Sequence, residues 1–193
     1  MGESYKGTKF VTIFVKKQVL NNEKIDELIH WCKRFDEEGL APLHPKGSAG
    51  NLSFRSERGF IITASGSVLG EISKEDFVEV VNVDGKNIEV NGIKEPSSES
   101  LLHSAIYEKR KDVNAIFHGH SIDILREYEE LGLVSTKKEE PYGTIELVNS
   151  VLDVLGEHDV VIMKNHGFLT FGRDMEEAGN NALNVLEQAR KLE

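Results

Sequence analysis

The run Val113-Asn114-Ala115-Ile116-Phe117-His118-Gly119-His120-Ser121 constrains this chain more than any other stretch. Its apolar part, residues 113–117, reads as a buried β-strand. Side chains on a strand alternate between faces, so residues two apart point the same way. His118 and His120 are then aimed at one point, and Gly119 between them leaves the opposite face uncrowded. Imidazole is a ligand suited to Zn, Fe, Ni and Cu, so the pair is a start for a divalent metal site. Two neighbouring histidines also occur without a metal, and the rest of the sequence has to decide.

Apolar periodicity and turn residues divide the remaining chain. Residues 9–17 are rich in β-branched side chains and read as a short strand or extended arm. Asn21 or Asn22 can cap a helix whose apolar face is Ile25, Leu28, Ile29, Cys32 and Phe35, stopped by Gly39. Residues 50–55 and 59–63 form a strand pair. Ser73-Lys74-Glu75-Asp76 resembles a one-turn helix start, and residues 77–83 and 86–90 are strands around an Asp84-Gly85 turn. Ser97 or Ser98 caps a helix to about residue 109, and the His-x-His strand follows. Helices are expected over 121–131 and 144–155. Strands at 160–164 and 168–171 flank Asn165-His166-Gly167, and Asp174 caps a final helix to residue 191. Strands and helices interleave without strict β-α-β alternation. That predicts a mixed or antiparallel central sheet with helices on its faces.

A chain of 193 residues suits one domain, here 1–193 with residues 1–21 as an N-terminal arm or strand. The longest apolar runs, such as 115–117 and 160–163, are far too short to cross a bilayer, so no membrane partner is expected. Met1-Gly2-Glu3-Ser4-Tyr5-Lys6 lacks the apolar stretch of a secretory leader. A formal net charge of −10 argues against a phosphate-backbone footprint and so against nucleic acid. It leaves room for an anionic small substrate, because local N–H groups and cations reverse the field locally. Cys32 is the single cysteine, so no intrachain disulfide can form. A reducing cytoplasm is the expected setting, with Cys32 a core residue. The charge run Lys137-Lys138-Glu139-Glu140 reads as solvated loop.

Four pieces carry the chemistry, each at the end of an expected element. The first is His118 with His120. The second is His166, in a turn whose Gly167 lets the backbone pass close to something. A third imidazole completes a three-histidine site with an open position, as in a catalytic metal centre. On its own, His166 reads more readily as a turn histidine bonded to backbone. The third piece is Ser97-Ser98-Glu99 with His103. Glu99 and His103 are i and i+4 on one helix face, with Glu99 in the first turn. They read as a capping carboxylate with a satisfied core histidine, or as a general acid/base beside the metal with His103 behind it. The two readings are compatible. The fourth is a pair of small-residue loops, 47–53 and 63–67, whose hydroxyls and N–H groups can cup an anion together with Ser97 and Ser98. Such loops by themselves mostly mean turns.

Five motifs then stand in order: Gly50-Asn51-x-Ser53, Ile62-Thr63-x-Ser65-Gly66, Ser97-Ser98-Glu99-x-x-x-His103, His118-x-His120-Ser121 and Asn165-His166-Gly167. Over roughly residues 22–192 the chain resembles the class II aldolase/adducin family, which includes sugar-phosphate aldolases and 4-epimerases. The resemblance implies a single-domain three-layer α/β/α fold with a mostly antiparallel sheet. It implies a divalent metal, zinc foremost, on His118, His120 and His166. It implies a phosphorylated substrate held by Asn51, Ser65, Gly66, Ser97 and Ser98, and a cyclic homotetramer with active sites between subunits. It also gives Glu99 the acid/base role. Epimerases resemble Asp there, so Glu99 favours aldolase chemistry.

The expected activity is therefore cleavage of a phosphorylated ketose or similar hydroxy-carbonyl compound through a metal-stabilised enediolate. A dehydratase, epimerase or decarboxylase of the same fold is the alternative within the family. A non-catalytic adducin-like module is the alternative outside enzymes, and the presence of all three histidines and Glu99 argues against it. Three departures stand out. The stretch from His120 to Tyr142 is short, so the family's catalytic tyrosine has no fixed place here, and Tyr128 and Tyr142 are only candidates for it. No long tail follows the last helix, and Ala64 replaces a common proline.

Overall fold

The computed structural model describes residues 9–192. The segment read above for a leader, residues 1–6, and the final Glu193 lie outside them. The elements run β1 (Val11–Lys16), α1 (Ile25–Glu37), β2 (Leu43–His44), β3 (Gly47–Ser48), β4 (Asn51–Arg55), β5 (Phe60–Thr63), β6 (Phe77–Asp84), β7 (Asn87–Asn91) and α2 (Ser100–Lys109). There follow β8 (Ala115–Gly119), α3 (Ile122–Glu127), β9 (Val134–Ser135), α4 (Ile145–Leu152), β10 (Val160–Met163), β11 (Gly167–Gly172) and α5 (Met175–Arg190). Among the described residues no helix is long and apolar enough to cross a membrane.

Nine strands form one sheet in the order β1-β7-β6-β5-β4-β8-β11-β10-β9. It is a mixed sheet and not the mostly antiparallel one that the resemblance implied. β1 joins β7 in parallel at one edge, and β9 joins β10 in parallel at the other. Both pairings bring together segments from distant parts of the chain, and a strand's own periodicity carries no information about its partner. β2 and β3 make a separate two-stranded hairpin.

β8 is the organising strand. All five of its residues are buried, with β4 antiparallel on one side and β11 antiparallel on the other. Its alternate side chains serve two apolar clusters. Ala115 and Phe117 join a cluster that includes residues of α1, α3 and α5. Ile116 joins one that includes residues of α2 and α4. Phe117 is fully buried, edge-on to Phe35 with ring centroids 5.5 Å apart.

The helix ends explain several local differences from the sequence pattern. α1 begins after Lys24 with no side-chain cap, and Asn22 instead accepts a hydrogen bond from the Lys24 N–H. Ser97 and Ser98 lie ahead of the cap position of α2, which is Glu99 itself, so Glu99 precedes the first turn. The expected caps Ser121, Thr144 and Asp174 each accept from a backbone N–H three residues on. α3 stops at Glu127, shorter than its expected span to 131.

Cys32 is fully buried on α1, and burial pushes its thiol well above the ordinary range. A buried thiol presents no thiolate to an electrophile. The native protein should therefore show no fast reaction with a disulfide reagent at pH 8. One equivalent should react once denaturant is added; immediate native labelling would contradict this burial.

Candidate functional site

The geometry of the site starts from strand register. β4 places Asn51 directly opposite His118 on β8, and β11 places Leu169 opposite it on the other side. His120 follows one residue after β8 ends. His166 comes from the turn between β10 and β11, whose first residue, Gly167, pairs with Met163. Because β11 lies beside β8, this turn falls against the end of the His-x-His strand.

Two glycines permit that approach. A Cβ on Gly167 would lie 2.7 Å from His118 Cε1 and 3.2 Å from His120 Cδ2. A Cβ on Gly119 would lie 2.6 Å from the Phe168 ring. Asn165, at φ 58°, is the one non-glycine residue among those described with positive φ, and Asn tolerates that region better than most. Its side-chain amide donates to Glu139 Oε2 at 3.0 Å.

The three imidazoles converge. Their candidate ligand atoms all lie within 4.8 Å of one another. His118 Nε2 and His120 Nε2 are 3.0 Å apart. Glu99 completes the group, with Oε2 at 3.1 Å from His118 Nε2 and Oε1 at 3.4 Å from His166 Nε2. His118 Nδ1 lies 2.9 Å from the Phe168 carbonyl oxygen, which can only accept. Nδ1 is therefore the protonated nitrogen, and the Nε2 lone pair faces inward. Asn51 Nδ2 donates to Glu99 Oε2 at 2.8 Å, leaving Oε1 buried with no hydrogen-bond partner.

Burial, reinforced by the neighbouring His166, holds His118 down to about 3, although the Phe168 carbonyl offsets part of that. Burial and the other two histidines likewise hold His120 well below its usual value. Both rings are thus neutral at pH 7 and offer lone pairs, as metal ligation requires. Lone pairs and a carboxylate at such short separations repel unless a cation or proton lies between them. The donor set fits a divalent ion with three nitrogen ligands at about 2 Å each and one open or carboxylate-filled position.

The small-residue loops meet beside this group. Ser97 N–H donates to the Thr63 carbonyl, Ser65 N–H donates to the Glu95 carbonyl, and Ala64 bridges Pro96. A cavity of about 550 Å³ opens over them. Its walls include Glu99 and the three histidines. Asn51, Ser65, Gly66, Ser97 and Ser98 also line it, so the structure brings together every site residue expected from the sequence.

His103 sits behind the site, fully buried, with Nδ1 2.7 Å from Ser53 Oγ; Ser53 Oγ is in turn 2.8 Å from the Tyr107 hydroxyl. Burial holds His103 down to about 3 against an ordinary 6.5. Between those values the unfolded chain takes up a proton that the folded chain refuses, so stability rises with pH. The urea midpoint of metal-free protein should fall as pH drops below about 6.5, and His103→Asn should flatten that slope. An unchanged slope in the variant would contradict a neutral His103.

Sequence reasoning missed part of the wall. His44 and Lys46 enter it from the β2–β3 hairpin, a two-residue pairing too short to leave a periodic signal. The charge run read as solvated loop also reaches it: Glu139 and Glu140 line the cavity, with Glu140 paired to Lys138 at 2.7 Å. Of the two tyrosines singled out, Tyr142 lines the cavity. Tyr128 does not, and its hydroxyl donates to Glu129 at 3.0 Å.

The chain is similar to known proteins in sequence and fold. The profile of the family described as Class II Aldolase and Adducin N-terminal domain matches residues 26–192. The L-fuculose phosphate aldolase of Methanocaldococcus jannaschii is 35% identical over 161 residues, covering 76% of this chain and 84% of that one. The 5-deoxy-D-ribulose 1-phosphate aldolase of Bacillus thuringiensis is 29% identical over 177 residues, covering 83% and 79%. A solved structure of an L-fuculose 1-phosphate aldolase has a TM-score of 0.73 at 26% identity, covering 90% of this chain and 86% of that one. With its profile match spanning most of its length, the chain belongs to the class II aldolase and adducin family.

Proposed function

We propose that the protein is a metal-dependent aldolase, a lyase that cleaves a phosphorylated ketose or similar hydroxy-carbonyl compound. The observation that carries this is the convergence of His118, His120, His166 and Glu99 in a cavity that Ser65, Gly66, Ser97 and Ser98 also line. The similarity to aldolases that act on sugar 1-phosphates supports the same substrate class here.

In this reading the three histidines hold a divalent cation, Zn²⁺ first among candidates, and it supplies Lewis acidity toward the substrate's oxygens. The Phe168 carbonyl fixes the His118 tautomer, so that ligand geometry is set before substrate arrives. Asn51 occupies one oxygen of Glu99 and leaves the other free to give a proton to the carbon released from the broken C–C bond, while the hydroxyl on the other carbon gives up its proton as it becomes the new carbonyl. Asn51, Ser65, Gly66, Ser97 and Ser98 bind the phosphate, placing the carbonyl end of the sugar against Glu99. The two apolar clusters are then the outer cores of a three-layer α/β/α domain. The working unit is a homotetramer, as the family likeness implies.

The test is a screen of ketose 1-phosphates with Zn²⁺-loaded protein, read by release of dihydroxyacetone phosphate. Release from at least one supports the proposal. Loss of water or epimerisation with no cleavage product would overturn the aldolase assignment and keep the fold; binding without turnover would favour an adducin-like module.

A further inference from the structure

Lys9 stands just ahead of β1, in a part of the chain that precedes the family match at 26–192. Its side chain reaches a residue 133 positions away. The ammonium donates to the Tyr142 carbonyl oxygen at 2.5 Å and lies 4.3 Å from the centroid of the Tyr142 ring. Tyr142 is 8% exposed and forms part of the cavity wall. The next residue, Gly143, has φ 63°, and a Cβ there would lie 2.9 Å from the Ser98 carbonyl oxygen. The 142–143 backbone thus packs closely against both Lys9 and Ser98.

We infer that Lys9 is a positioning residue that pins Tyr142 into the cavity wall, so that a segment outside the family match sets how tightly the phosphorylated substrate is held. This rests on the cavity being the substrate site, as proposed above. The base of Lys9 is itself fixed, because β1 is paired with β7 from Val11 onward. A charge-assisted hydrogen bond and a cation over an aromatic face act on one residue from one ammonium, which orders both the backbone and the ring. The same loop carries Glu139, whose carboxylate holds Asn165 beside His166. Glu99 and the three histidines are held by other contacts, so loss of the pin loosens substrate binding and spares the proton transfer.

Lys9→Met keeps the aliphatic stem and removes the cation. It is expected to raise KM about tenfold with kcat within about twofold of wild type, and Lys9→Arg is expected to restore KM. Amide hydrogen exchange at residues 142–144 is expected to quicken about tenfold in Lys9→Met, with the thermal midpoint unchanged. In a Tyr142→Leu background, where only the bond to the backbone carbonyl remains, Lys9→Met should raise KM by less than it does in wild type. Exchange equal to wild type in Lys9→Met overturns the inference whatever the substrate proves to be. Faster exchange with unchanged KM overturns the link to substrate binding. A chain inactive toward every ketose phosphate, yet with tenfold faster exchange in Lys9→Met, would sink the aldolase reading and leave the pin supported.

Discussion

Glu99→Gln should lower kcat about 10²- to 10⁴-fold, the span expected when a positioned acid/base group is lost. Gln keeps the shape of the side chain and can still accept from Asn51, so the wall of the site should hold. What disappears is the oxygen that has no hydrogen-bond partner, the one available to take a proton. KM should change little, because Glu99 is not among the residues assigned to the phosphate and Gln can still hold Asn51 in place. Zn²⁺ content should stay near that of wild type, since three imidazoles remain. Steady-state kinetics paired with metal analysis on the same preparation separates the outcomes. A rate equal to wild type removes Glu99 from the acid/base role.

His166→Ala should weaken Zn²⁺ binding by more than about 100-fold, beyond what loss of a group behind a ligand costs. Cleavage should fall to background. This variant is a cleaner test than His118→Ala. His118 sits in the central strand at 1% exposure and occupies the Phe168 carbonyl, so its removal also opens a hole in the core. His166 lies in the turn between β10 and β11, where truncation should leave the sheet and its circular dichroism intact. Retained metal and activity in His166→Ala would show that the turn histidine is no ligand.

Much of the site was legible because its signals are local. His118 and His120 lie two residues apart at the end of one strand, and extended backbone there aims them together. Asn-His-Gly between two apolar strands marks a turn, and the Gly167 contact distances show why only a bare backbone fits there. Which turn faces which strand is a different matter. It depends on β11 pairing with β8, and on β4 pairing with β8 to set Asn51 opposite His118. Those are long-range pairings that periodicity does not encode, and the family likeness supplied them instead.

The same reasoning explains the errors. The parallel edges β1–β7 and β9–β10 join segments whose own sequences look like any short strand. Ser97 and Ser98 looked like helix caps because their composition suits caps. Helix α2 starts later, and the two serines are spent on the cavity wall. The run Lys137-Lys138-Glu139-Glu140 looked solvated because charge usually is; Glu139 is instead tied to Asn165 next to the histidines. A charged loop reveals such a role only when its contacts are seen.

The central claim, that three imidazoles close around one cation that the reaction needs, is tested most directly by metal stoichiometry coupled to activity. Purified protein should hold one Zn²⁺ per chain after dialysis, lose cleavage when a chelator strips it, and recover when Zn²⁺ returns. Full cleavage by the stripped protein, or failure to take up a divalent ion at micromolar concentration, would contradict the account.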